Sequence, residues 1–253
     1  MTLCAVIPAA GRGSRLGADC PKILVKIAPH LSIWNVLSDN LCPVVDCINV
    51  IVSPEGQPLF NQELADRPVG KQVIVSLQPS PRGMGDAIFQ GIDVWQQADH
   101  ILVIWGDQVH VSQKTLNACI TAHTRISAPH LTIPVVSLPT PYVEYVFSPD
   151  GELDHIKQSR EGDVCTPNGW GDVGTFILST QGLKEAWDDY LETKPQGALT
   201  GELNFLPFMI FLSQNKQWPI TRIIVEDPDE ARGINTQEDL LFFKKLYACG
   251  NQV

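Results

Sequence analysis

Val6-Ile7-Pro8-Ala9-Ala10-Gly11-Arg12-Gly13-Ser14-Arg15-Leu16, with Pro21-Lys22 shortly behind it, is the stretch on which the fold turns. Leu3 to Ile7 is a short run of aliphatic and β-branched residues, the composition of a buried strand. It runs straight into Pro8 and a loop of small residues. Ala9, Ala10, Gly11 and Gly13 let backbone N–H groups approach a ligand closely, while Arg15 and Lys22 supply positive charge beside them. Such a loop is built for anions. Two familiar glycine motifs fail against it. The dinucleotide fingerprint needs G-x-G-x-x-G entering a helix and an acid about twenty residues on, but Gly11-x-Gly13 is followed by Gly17 and the stretch near Leu31 holds no acid. A P-loop needs Gly-Lys-Ser/Thr after a four-residue gap, which is absent.

Moving outward, apolar runs alternate with helical patterns through the first half of the chain, the signature of βα units around a mainly parallel sheet. Cys47 to Val52, Gln72 to Leu77 and Ile101 to Ile104 read as further buried strands. Ser53 before Pro54 predicts a helix start, and Ser112 opens an amphipathic helix through Thr121. The second half changes character. Leu131 to Val136, Glu144 to Phe147, Glu152 to Gln158 and Thr175 to Leu178 read as strands, separated by turn chemistry such as Ser148-Pro149-Asp150-Gly151, which points to hairpins. Helices are expected from about Leu183 and Glu202, and a last one over Thr236 to Tyr247.

The 253 residues, 44% hydrophobic and 18% charged, suit one large domain with a sizeable core. A net charge of -10 argues against a protein that coats nucleic acid or an anionic membrane. Any phosphate handling must come from a few local cations. The seven cysteines form no Cys-x-x-Cys pair and have no clustered histidine partner, so they read as small buried hydrophobes, with no disulfide framework or zinc site expected. The N-terminus is too short for a signal segment and no apolar run reaches the length of a membrane span, which predicts a cytoplasmic protein.

Ala-Ala-Gly-x-Gly-Ser-Arg-Leu followed by Pro-Lys resembles the signature of the sugar-phosphate nucleotidylyltransferases, the pyrophosphorylase family. The family's other stations can be followed in order along the chain. Gln78-Pro79-Ser80-Pro81-Arg82-Gly83-Met84-Gly85 is similar to its base-reading segment, as in glucose-1-phosphate thymidylyltransferase. Trp105-Gly106-Asp107-Gln108 ends an apolar strand, where a carboxylate emerges at the carboxyl edge of a parallel sheet. It resembles the family's Gly-Asp station, whose aspartate binds magnesium. Gly233-Ile234-Asn235 resembles the Gly-Val-Asn station of N-acetylglucosamine-1-phosphate uridylyltransferase, whose asparagine is the second protein ligand. An aspartate and an asparagine suit a hard cation such as Mg2+. The acceptor stations are looser: Asp172-Val173-Gly174 stands where many members have Asn-Thr-Gly, Gln158 near a frequent glutamate, and Glu202 keeps a glutamate without the Thr-Asp that often follows.

The resemblance covers essentially the whole chain, and what it implies is specific. The fold is α/β, a Rossmann-like mixed sheet, mainly parallel, flanked by helices (the nucleotide-diphospho-sugar transferase fold) with a small antiparallel acceptor-binding element. A single domain over 1–253 is expected, with a nucleotide-binding part over about 1–125, an acceptor-binding part over about 126–225 and a closing metal-ligand segment with its helix over 226–253. Nucleotide contacts fall to Ala9, Ala10, Gly11, Gly13, Ser14, Gln78, Gly83 and Met84, and acceptor contacts to Gln158, Asp172, Gly174 and Glu202. Arg15 and Lys22 are the catalytic cations; Asp107 and Asn235 the Mg2+ ligands. The partners are a nucleoside triphosphate, UTP or dTTP favoured, and a sugar phosphate, with a homo-oligomer left open. No acetyltransferase activity is expected, since the sequence stops where the uridylyltransferase's left-handed β-helix domain would start. A cytidylyltransferase for a non-sugar phosphorylated alcohol and a non-catalytic nucleotide-sugar-binding protein are the competing readings.

Overall fold

A computed structural model describes residues 1–13 and 16–248 of the chain. The chain opens with β1 (Leu3–Pro8), then a short antiparallel pair, β2 (Lys26–Ala28) and β3 (Leu31–Ser32), which leads into α1 (Ile33–Leu41). Ser32 caps α1 reciprocally with Asn35, which fixes the helix start. Next come β4 (Cys47–Val52), α2 (Gln57–Asp66), β5 (Gln72–Leu77), α3 (Met84–Gln90), α4 (Ile92–Trp95), β6 (His100–Ile104) and α5 (Gln113–His123). The remainder is β7 (Leu131–Leu138), β8 (Val143–Phe147), β9 (Leu153–Gln158), β10 (Gly169–Asp172), β11 (Thr175–Ser179), α6 (Leu183–Glu192), α7 (Leu206–Gln214), β12 (Ile220–Val225) and α8 (Gln237–Ala248).

Ten strands form one sheet in the order β5-β4-β1-β6-β11-β7-β10-β8-β9, with β12 on β7 as well. The first four are parallel, and β1 and β6 are buried along nearly their whole length, as continuous apolar runs between two helical layers require. After β6 the sheet turns antiparallel, and β12 returns a parallel strand along the other edge of β7. The mixed α/β architecture is thus the expected one, with the antiparallel strands continuing the same sheet. The chain lays β4 and β5 on one side of β1 and then β6 on the other. That reversal leaves a crevice at the carboxyl ends of β1 and β6, where open α/β sheets bind ligands. Two apolar cores, one per face, hold the helices to the sheet.

Four expectations are corrected. The strand Gln72–Leu77 forms as β5 but is not buried: it lies at the edge of the sheet, exposed at Gln72 and only partly buried beyond it. Ser53 does not cap a helix: its hydroxyl accepts from the Gly56 N–H at 3.1 Å, closing a turn over 53–56, and α2 starts only at Gln57 with proline in its first turn. The helix expected from Glu202 begins at Leu206, because Leu203 uses both backbone groups elsewhere, on Arg82 (2.7 Å) and Gly85 (2.9 Å). Among the described cysteines only Cys4 and Cys119 are buried; Cys20, Cys42, Cys47 and Cys165 are partly exposed, and all six are free thiols. Cys249 lies outside the described residues.

Far from the crevice, three histidines pack together. His123 hydrogen-bonds Thr132 Oγ1 at 2.9 Å and His100 Nδ1 at 3.1 Å, and its ring stacks on His130 with centroids 3.8 Å apart. Burial, reinforced by its histidine neighbours, pushes the His123 pKa down to about 3. The unfolded chain takes up this proton near pH 6.5, so the contribution is complete above that pH and is lost as pH falls toward 3. Urea unfolding should therefore show about 2 kcal/mol less stability at about pH 5 than at neutrality. His123→Gln should flatten that dependence; an unaltered pH profile in the variant would rule the cluster out as its source.

Candidate active site

A cleft of about 760 Å³ opens over the carboxyl ends of β1 and β6. One wall of it starts where β1 stops, at Pro8 and Ala9. The Ala9 N–H donates to the Ile51 carbonyl at 2.7 Å, tying the loop to β4, and the Lys22 N–H donates to the Gly11 carbonyl at 3.1 Å, closing it. Gly13 has φ of +66°, and a Cβ there would meet the Cys20 carbonyl at 3.0 Å, so the loop folds back on itself only through glycine. Lys22 then opens a 3₁₀ turn whose Ile23 and Leu24 are buried, anchoring the stem of the lysine. Its ammonium donates to Asp107 Oδ2 at 2.5 Å and to Asn235 Oδ1 at 2.9 Å.

Three distant parts of the chain meet at that ammonium. Asp107 follows β6 through Gly106, where a Cβ would come within 3.0 Å of the Pro8 carbonyl, so the ends of β1 and β6 sit too close for a side chain. The Ile234 N–H donates to the Asp107 carbonyl at 3.1 Å, and a Cβ on Gly233 would lie 3.2 Å from the Asp107 carboxylate. The segment carrying Asn235 is therefore pressed against the strand end. Asp239 accepts from the N–H groups of Asn235 and Thr236, fixing the entry to α8. One carboxylate and one amide oxygen reach a single cationic atom, a hard-donor pair suited to a divalent cation that takes its other ligands from water and phosphate. No group of three or more His, Cys, Asp or Glu side chains among the described residues forms a closed metal cage.

At one end of the cleft lies the turn after β5. Gln78 is buried, and its Nε2 donates to the Gly83 carbonyl at 3.0 Å and to Asp86 Oδ2 at 2.8 Å. Turning the amide over would set Oε1 against two acceptors, so the orientation is fixed and Oε1 is what this side chain offers to a ligand. Gly83 has φ of +116° and opens α3.

A second wall of the cleft is built on Asp172. Its carboxylate accepts from the Gly174 N–H at 2.7 Å, the Tyr145 hydroxyl at 3.1 Å and Trp105 Nε1 at 3.1 Å. Three converging donors explain an acid here: an amide would turn one N–H against another donor. Burial pushes its pKa up against those hydrogen bonds, and the nearby Asp107 charge adds to the rise. Arg160 contributes a cation to this wall, its Nη2 held by Glu202 Oε2 and Asn204 Oδ1, each at 2.5 Å.

Of the residues singled out in the sequence, Ala9, Ala10, Gly11, Lys22, Gln78, Gly83, Met84, Asp107, Gln158, Asp172, Glu202 and Asn235 line this one cleft. Gly13 and Gly174 are not on its surface; they act through backbone shape, Gly174 because a Cβ would lie 2.5 Å from Gln108 Cγ. Ser14 and Arg15 lie outside the described residues. Sequence reasoning missed Trp105, Tyr142 and Arg160 in the lining. Arg160 was the one discoverable signal, a cation two residues beyond the expected strand end at Gln158.

The chain is similar to known proteins. The MobA-like NTP transferase domain matches residues 5–165. The bifunctional proteins GlmU of Blochmanniella pennsylvanica and Aquifex aeolicus are 26% and 27% identical over 254 residues, which cover 96% of this chain and 52% of each relative. The chain thus spans about half the length of the curated relatives it matches. The crystal structure of 4-diphosphocytidyl-2C-methyl-D-erythritol synthase from Anaerococcus prevotii has a TM-score of 0.67 over 98% of both chains at 12% identity, a likeness of fold. No described helix is long and apolar enough to cross a membrane. With the matched domain spanning the glycine loop after β1, the turn after β5, the strand end at Asp107 and the wall to Gln158, the chain belongs to the MobA-like NTP transferase family of nucleotidyltransferases.

Proposed function

We propose that this chain, as one domain, transfers a nucleotidyl group from a nucleoside triphosphate to the phosphate of a phosphorylated sugar, releasing pyrophosphate. The carrying observation is the convergence of Lys22, Asp107 and Asn235 on one point of the cleft. An acceptor phosphate is anionic at neutral pH, so its oxygen can attack the α-phosphorus without a protein base, as the bond to the departing pyrophosphate breaks. The protein's work is then positioning and charge neutralisation. Asp107 and Asn235 would hold a divalent cation, Mg2+ by their chemistry, which when bound offsets phosphate charge. Lys22, released from the two oxygens, reaches the triphosphate beside the 9–13 loop, and Arg15, by its place in the sequence, is assigned the same task. Gln78 and the Gly83 backbone read the base. Asp172, Gln158, Glu202 and the Gly174 turn form the acceptor wall.

Gln78 Oε1, the acceptor that its fixed amide leaves over, and the Gly83 backbone would complement the adjacent N–H and carbonyl of uracil or thymine. UTP or dTTP should therefore be turned over at least about tenfold faster than ATP at equal concentration, one hydrogen bond's worth of discrimination. Guanine carries a similar edge on a larger ring, and CTP is the substrate of the competing reading. Pyrophosphate release measured with each triphosphate against a panel of sugar 1-phosphates and phosphorylated alcohols decides among them. Clear preference for a purine, or for CTP with a non-sugar alcohol phosphate, would overturn the proposal.

A further inference from the structure

The acceptor wall and the base-reading turn are joined by a strap of backbone over 196–204. At one end of the strap Leu203 bridges to the turn: its N–H donates to the Arg82 carbonyl at 2.7 Å and its carbonyl accepts from the Gly85 N–H at 2.9 Å. The fit is tight, since a Cβ on Gly83 would stand 2.6 Å from the Leu203 oxygen. The rest of the strap converges on one carboxylate, Glu161, in the short turn that follows β9. Glu161 accepts from Thr200 Oγ1 at 2.6 Å, the Leu199 N–H at 2.9 Å and Asn204 Nδ2 at 3.0 Å, with the Thr200 N–H at 3.4 Å. Its side chain is only 10% exposed, and it is not part of the cleft lining. Against the effect of burial, those hydrogen bonds hold its pKa down to about 2, so it stays ionised as their common acceptor.

We propose that Glu161 is a positioning residue for nucleotide binding, which tethers the 196–204 strap and through Leu203 sets the turn that presents Gln78 and Gly83. This rests on the reading of the cleft as a nucleotidyl-transfer site. Glu161 stands on the acceptor side and touches no part of the base-reading turn itself. Its loss is nonetheless felt there, because Thr200 then loses its side-chain anchor and Asn204, next to Leu203, keeps only its hydrogen bond from Arg160. The strap makes the two walls of the cleft one hydrogen-bonded unit.

Glu161→Gln keeps the shape but replaces an acceptor oxygen with an N–H group facing other donors. Two measurements test it on the full chain without acceptor: amide hydrogen exchange at Leu203 and Gly85, and affinity for the best bound of the four common nucleoside triphosphates. Exchange at both amides should quicken by about tenfold or more, and triphosphate affinity should fall by about tenfold. Unchanged exchange at those amides, or faster exchange with unchanged affinity, overturns the proposal. Should Glu161→Gln fail to fold, Thr200→Val removes the 2.6 Å hydrogen bond from the strap side and carries the same two readouts. Wild-type protein that binds no triphosphate would instead refute the reading of the cleft, a distinct outcome.

Discussion

Asp107→Ala is expected to lower turnover about a thousandfold or more while leaving the protein folded. Among the described residues, its carboxylate is one of two side-chain oxygens that meet Lys22 in the cleft, and it is the charged one. On the proposed reading, withdrawing it takes away the charged ligand of the cation that would offset phosphate charge, an effect of several kcal/mol. The fold should tolerate the change, because Asp107 holds Ile234 through its backbone carbonyl, which alanine retains. Asn235→Ala should cost less, since an amide oxygen carries no formal charge. Pyrophosphate release at saturating substrates, with thermal unfolding alongside, checks both variants. Near-normal turnover in Asp107→Ala would remove the central element of the proposed function.

Gly83→Ala should be the most disruptive single methyl in the molecule's ligand-facing surface. The new Cβ would stand 2.6 Å from the Leu203 oxygen and 2.8 Å from its nitrogen, and φ at this position is +116°. Neither neighbour can rotate aside, because both belong to backbone already committed to hydrogen bonds with the turn. A loss of about 3 kcal/mol is expected from strain and the broken bridge, which lowers the melting temperature by roughly 10 °C in a chain of this size. Triphosphate binding should fall with it. Gly11→Ala is the control: nothing lies within 4 Å of a Cβ there, so its stability should change by less than about 0.5 kcal/mol. Similar melting temperatures for the two variants would show that the Gly83 turn yields more easily than its contacts indicate.

The parallel half of the sheet was legible because its strands are apolar on both faces and short. Cys47–Val52 and Gln72–Leu77 begin and end where their composition says they should. What sequence could not supply was lateral order. β11 lies between β6 and β7, a choice made by side-chain packing across the sheet and invisible to periodicity. β12 escaped notice although five of its six residues are β-branched, because Arg222 interrupts the run and leaves only three apolar residues in a row. Within the cleft, Asp107 stood out by the logic of strand ends, whereas Asn235 was found through family resemblance. Trp105 and Glu161 act through contacts made 67 residues away at Asp172 and 38 residues away at Leu199, and no local motif announces such pairs.

The place of β11 in the sheet also bears on how the chain is made. A ribosome releases β6 and β7 well before residues 175–179, yet those residues cover one edge of each. Until then the Ile101-Leu102-Val103-Ile104 run has β1 on one side and bare peptide groups on the other. The far edge of β7 waits longer still, for Ile220–Val225. A nascent chain therefore carries sticky, half-paired strands through much of its synthesis, a hazard for association with other chains. A polypeptide cut at Cys165, where the matched domain ends, would hold that vulnerable state permanently, and it would also lack the asparagine that completes the cleft.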